Sequence, residues 1–182
     1  MEIPVIETAR LRLRRHRPSD LSDCAAMWGD ERVTRFISGR ASSEQQTWSR
    51  LLAYLGHWAV MGFGYWAIEE KSSKAFVGEA GLADFKRDVG AWPQGTPELG
   101  FVVAPRFHGG GYATECVAAI LGWADSNLPC EQTVCIIDPR NEASLRTAAR
   151  AGYTILEEGV YSGQPTLFLA RARHSAREGR MQ

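Results

Sequence analysis

The feature that most constrains this chain is the run ELGFVVAPRFHGGGYATECVAAILGWA at residues 98–124, where an apolar, strand-like segment meets three consecutive glycines and then a segment of helical period. Glycine loses more backbone entropy on folding than any other residue, so three together mark a backbone that must turn sharply or admit a close neighbour. From Tyr112 onward, Ala113, Cys116, Val117, Ile120, Leu121 and Ala124 fall on one helical face, opposite Thr114, Glu115, Gly122 and Asp125. A strand, a Gly-rich turn and a helix in that order present free backbone N–H groups at the positive end of a helix dipole. That is the physical basis of an anion site, for a phosphate or pyrophosphate above all. The plainer alternative is a tight turn with no ligand.

Two nucleotide motifs are excluded. A P-loop needs Gly-Lys-Ser/Thr at the helix start, and this chain has Gly111-Tyr112-Ala113. A dinucleotide fingerprint needs a further glycine at 114 or 115, where Thr114 and Glu115 stand.

The remaining pattern is that of one domain over residues 1–171 with a polar, aperiodic tail at 172–182. Leu11 and Leu13 alternate with Arg10, Arg12 and Arg14, as in a half-buried strand. Ser19 can cap a helix bearing Leu21, Cys24, Ala25 and Trp28, which Gly29 stops; a second helix starts at Ser42 or Ser43 and carries Trp48, Leu51, Leu52, Leu55 and Trp58. Segments 64–69 and 75–82 predict an antiparallel hairpin, 84–97 a loop, 98–103 and 133–137 further strands, and 154–156 and 165–170 two closing strands. Between the last three, Asn141 caps a short helix that ends at Gly152. The order predicts an α/β or α+β domain around a mixed sheet.

Composition narrows the partners. The 21 Lys and Arg balance 21 Asp and Glu, so no global field draws the chain to nucleic acid. The start has no apolar signal core and no later stretch is long enough to span a membrane, so the expectation is a cytoplasmic protein. Cys24, Cys116, Cys130 and Cys135 form no CxxC pair and are expected as buried reduced thiols. The four Cys and four His show no ligand spacing, so no metal is expected. Oligomeric state is not written in the pattern, and a homodimer is left open.

The runs PELGFVVAPRFHGGGYATE (97–115) and DPRNEASLRTAARAGY (138–153) resemble the GNAT superfamily of N-acetyltransferases, most closely its branch of ribosomal-protein N-terminal acetyltransferases. TARLRLRRHRPSDL (8–21) and LLAYLGHWAVMGFGYWAIEE (51–70) add to the likeness, which covers residues 7–170. The resemblance implies a mostly antiparallel mixed sheet flanked by about four helices, with a splayed strand pair forming a CoA site. It implies acetyl-CoA as donor and an amine, a protein N-terminus or a small molecule, as acceptor. The family's pyrophosphate motif falls on His108, Gly109, Gly110, Gly111, Tyr112 and Ala113, with His108 where Gln or Arg is usual and Arg106 two residues upstream. We expect His108 to be a solvent-facing loop residue. The pantetheine arm is implied to pair with Phe101, Val102 and Val103 and to meet Asn141, a residue that the sequence alone reads equally well as a helix cap.

Acetyl transfer requires a neutral amine, a stabilised oxyanion and a proton for the leaving thiolate. The N–H groups near Val102 are expected to polarise the carbonyl. Glu98 is the first candidate for the base and Glu79 the second, against the reading of both as solvated strand-end carboxylates. The family's tyrosine, seven residues after the asparagine, is Ala148 here. Tyr153 follows Gly152 and does not replace it, which leaves Ser144 to steady the thiolate. Specificity is expected in the first two helices and the 84–97 loop. Trp58, Phe63, Tyr65, Trp66 and Trp92 are expected in the core before a pocket. A CoA-binding protein of the same fold without catalysis is the alternative.

Overall fold

The computed structural model describes residues 2–174. They form β1 (Ile6–Glu7), β2 (Leu11–Arg14), α1 (Leu21–Trp28), α2 (Glu31–Thr34), α3 (Glu44–Met61), β3 (Tyr65–Glu70), β4 (Phe76–Ala83) and β5 (Glu98–Val103). There follow α4 (Tyr112–Asn127), β6 (Gln132–Ile137), α5 (Glu142–Arg150), β7 (Thr154–Tyr161) and β8 (Gln164–Ala172). The strands make one sheet in the order β1-β2-β3-β4-β5-β6-β8-β7. Every pairing is antiparallel except β5 with β6, which is parallel. This is the mixed, mostly antiparallel α/β architecture that the pattern and the resemblance predicted, with one strand and one helix more than the pattern alone gave.

Local chemistry accounts for the helix ends. Ser43 accepts the Gln46 N–H while the Gln46 side chain accepts that of Ser43, a reciprocal cap that opens α3, and Gly62 closes it at φ 75. Asn141 Oδ1 accepts the Ser144 N–H at 3.2 Å and opens α5. Ser19, expected as a cap, sits instead within a single 3-10 turn, Pro18–Asp20. Asp20 precedes α1 with its carboxylate held by Arg14 at 2.8 and 2.9 Å and by the Arg17 N–H at 2.7 Å.

Two cores sandwich the sheet. On one face Cys116, Val117, Ile120 and Leu121 of α4 bury against Leu13, Ile68, Ala80, Leu82 and Leu99; on the other, Cys24, Met27 and Trp28 of α1 and Leu51 of α3 meet Ala67 and Phe76. Trp58, Phe63, Tyr65 and Trp66 are buried as expected, and Trp92 is half-buried with its ring edge-on to Phe168 at 5.6 Å. Cys24, Cys116 and Cys135 are buried free thiols, while Cys130 is half-buried. The closing strands run longer than expected, and β8 continues through Ala172, past the expected end of the domain at 171. The remainder of the expected tail, 175–182, lies outside the described residues. No helix among them is long and apolar enough to cross a membrane.

Candidate active site

The centre of the sheet is split. β5 and β6 share one residue pair, Glu98 with Val134, backed by the Val134 N–H donating to the Pro97 carbonyl at 3.0 Å. Toward their C-terminal ends the strands part and open a cleft. The Ala104 N–H donates to the Val77 carbonyl at 2.8 Å, which fixes the parity of the β4–β5 ladder. Even-numbered residues of β5 spend their backbone groups on β4, whereas Phe101 and Val103 turn theirs into the cleft. The Val102 N–H is therefore committed to Glu79, and of the N–H groups near Val102 those of Phe101 and Val103 face the cleft.

The glycine turn closes the mouth of this cleft. Gly109 and Gly111 both have φ 77, a left-handed conformation that costs side-chain-bearing residues about 1–2 kcal/mol. α4 starts at Gly111 with no side-chain cap, so its first N–H groups point outward unclaimed by a capping residue. Arg10 braces the turn from behind: its guanidinium donates to the Gly110 carbonyl at 2.8 Å, pairs with Glu115 at 2.7 Å and lies 4.3 Å over the Tyr112 ring. Tyr112 thus supplies its backbone to the turn while its hydroxyl bonds Glu70. His108 is exposed as expected, yet its Nε2–H donates to the cleft-facing carbonyl of Val103 at 2.8 Å.

Across the cleft, α5 runs back beside β6, because Thr154 pairs with Ala170 and Ala170 with Val134. Asn141 and Ser144 therefore stand at the mouth, and Ala148, one turn deeper, is fully buried. Tyr153 is spent elsewhere, its hydroxyl 2.7 Å from that of Thr133.

Neither candidate carboxylate is a solvated strand end. Glu98 is 5% exposed, at the closed end of the cleft, where Arg87 grips it with two hydrogen bonds of 2.6 and 2.9 Å and also donates to the Tyr161 hydroxyl at 2.9 Å. Burial raises its carboxyl above the ordinary value, and Arg87 offsets only part of that rise. Glu79 is 1% exposed beneath α1 and accepts from His16 at 3.1 Å, Cys24 at 3.2 Å and Trp28 at 2.7 Å. Burial raises Glu79, but these donors overcome it and hold the carboxyl below its ordinary value, as befits a structural anion. Arg87 and His16 carry no sequence signal for these roles, because their partners lie 11 and 63 residues away. Among the described residues no group of His, Cys, Asp or Glu could hold a metal ion.

The profile of the acetyltransferase (GNAT) domain matches residues 10–154. A Bordetella pertussis protein assigned to the GnaT acetyltransferase family superposes with a TM-score of 0.82 at 30% identity, over 93% of this chain and 100% of that one. YoaA of Bacillus subtilis, called an uncharacterized N-acetyltransferase, is 25% identical over 86% of this chain and 85% of its own length. A ribosomal L7/L12 α-N-protein acetyltransferase solved with CoA shares the fold at a TM-score of 0.75 and 15% identity, covering 93% of this chain and 98% of that one. The chain belongs to the GNAT acetyltransferase family.

Proposed function

We propose that this protein is an acetyl-CoA-dependent N-acetyltransferase that passes the acetyl group directly to a primary amine, either a protein N-terminus or a small molecule. The observation that carries the reading is the cleft itself, in which the backbone groups of Phe101 and Val103 face an open side and lead to a glycine turn at a helix N-terminus. An extended pantetheine arm fits the first as an added strand, and a pyrophosphate fits the second. His108, Gly109, Gly110, Gly111, Tyr112 and Ala113 form the anion turn, and Asn141 and Ser144 offer polar groups to the arm from the far wall. Glu98 takes the proton of the attacking amine, its raised carboxyl bringing it nearer to neutral operation.

Isothermal titration with acetyl-CoA and CoA, with NADH as control, tests the donor site. Micromolar binding of the first two alone is expected; no binding at millimolar ligand overturns the reading. The buried Ala148, where the family's tyrosine stands, favours a second reading, a CoA-binding protein of the same fold without catalysis. Release of CoA thiol in the presence of peptides with N-terminal alanine or serine, or of spermidine, separates the two. Solved structures of the same fold named for ribosomal-protein-S5-alanine, ribosomal-protein-serine and spermidine acetyltransferases, all from Vibrio species at 15, 18 and 14% identity, suggest that acceptor panel.

A further inference from the structure

Strands β3, β4 and β5 set Tyr65, Gly81 and Gly100 directly opposite one another on the face toward α1 and α3. A glycine inside a strand weakens it, so two side by side call for a reason. Together they leave a lane across the sheet, and the Tyr65 ring lies along it. A Cβ on Gly81 would fall 2.4 Å from the Tyr65 Cα, and one on Gly100 would fall 1.9 Å from the Tyr65 hydroxyl oxygen. Tyr54 of α3 stacks on the ring at 4.4 Å with the planes 2° apart, which pins it in the lane. The hydroxyls of Tyr112, Tyr153 and Tyr161 each have a side-chain partner, whereas those of Tyr65 and of Tyr54 stacked on it have none among the described residues.

The position of the Tyr65 hydroxyl matters because of where the cleft ends. An arm paired with Phe101 and Val103 runs inward from the glycine turn and must stop where β6 rejoins β5 at Glu98. Its reactive end then lies beside Gly100, under the Tyr65 hydroxyl, while α5 carries at position 148 a fully buried alanine with no hydroxyl to offer. We propose that Tyr65 is a catalytic residue of the transfer, its hydroxyl donating to the thioester sulfur and giving it a proton as the C–S bond breaks. The proposal rests on the acetyltransferase reading above. In the step, the amine nitrogen forms the C–N bond, the sulfur leaves with the C–S electron pair and takes the phenolic proton, and the amine's surplus proton passes to Glu98. Glu98 then releases that proton to solvent and the phenolate regains one from it, so the enzyme is restored and the sum is thioester plus amine giving amide plus thiol. Burial, followed by the nearby charge of Glu98, raises the phenol above its ordinary value, so the group arrives protonated.

Tyr65→Phe keeps the ring and its stacking and removes only the hydroxyl. Difference absorbance titration of the thiol of bound CoA, in the wild type and in this variant, reads the contact without any acceptor. A hydroxyl donating to the sulfur favours the thiolate, so the bound thiol should titrate about one pH unit higher in the variant. With an amine from the panel, kcat should fall roughly 10- to 100-fold while KM for acetyl-CoA stays within about twofold. An unchanged thiol titration overturns the role of Tyr65 whether or not kcat falls, since a lower kcat alone would then be structural. If the wild type binds neither CoA nor acetyl-CoA, the acetyltransferase reading fails and this role fails with it.

Discussion

Gly111 stands at φ 77 at the head of α4, and the space beside it is empty except for the Arg10 guanidinium 3.5 Å from where a Cβ would sit. Gly111→Glu imposes about 1–2 kcal/mol of backbone strain and sets a carboxylate where the pyrophosphate is placed. We expect it to raise the acetyl-CoA Kd at least about 100-fold, some 3 kcal/mol, with an unchanged circular dichroism spectrum. Unaltered affinity in the folded variant would remove the turn from the donor site. Glu98 gives a prediction with a definite sign. A base works as the carboxylate, so kcat/KM should decline as the pH falls toward its raised pKa. Arg87 is the group that lowers it, so Arg87→Met should shift the acid limb of the profile to higher pH, and Glu98→Gln should flatten that limb. An acid limb that stays put in both variants would take Glu98 out of the mechanism.

At the scale of elements, the three-strand row of Tyr65, Gly81 and Gly100 couples fold to site. Gly100→Ala pushes a methyl group into the Tyr65 hydroxyl, and overpacking of this kind costs about 1–3 kcal/mol. In a Tyr65→Phe background the nearest ring atom lies 3.0 Å away rather than 1.9 Å, so the same change should cost less. Urea unfolding of the four proteins measures the coupling; purely additive costs would show that the lane does not hold the ring. Elements with a strong local signal were legible in advance. The α4 stripe, the Asn141 cap and a helix start at Ser42 or Ser43, which the structure resolves to Ser43, are written in residues three or four apart, which is the range a helix reads. β7 was cut short because it is an edge strand whose exposed Ile155, Leu156 and Val160 mix with Glu157 and Glu158, and a bulge after Ile155 breaks the alternation. β1 and α2, at two and four residues, are too short to show a period.

For the molecule as a whole, the residues that form the cleft were legible only where one segment contains them. The glycine turn ahead of α4 could be read from its own sequence. The splay of β5 from β6 entered through the family resemblance, since no local pattern states that two parallel strands separate after one pair. The grip of Arg87 on Glu98 and that of His16 on Glu79 arise when distant segments meet, and the parity that turns Phe101 and Val103 inward follows from the β4 register. That parity makes the split sheet testable. If the donor completes the sheet as a missing strand, saturating acetyl-CoA should slow hydrogen exchange at the Phe101 and Val103 amides far more than at Val102, whose N–H already faces β4. Filling the split should also tie the two halves of the domain together. At a ligand concentration of 100 times Kd, binding adds about 2.7 kcal/mol, and the thermal midpoint of a chain this size should rise by roughly 5–10 °C. A rise in Tm with equal slowing at all three amides would place the donor on the molecule but outside the cleft. Selective slowing at the two odd-numbered residues would locate it between the parted strands.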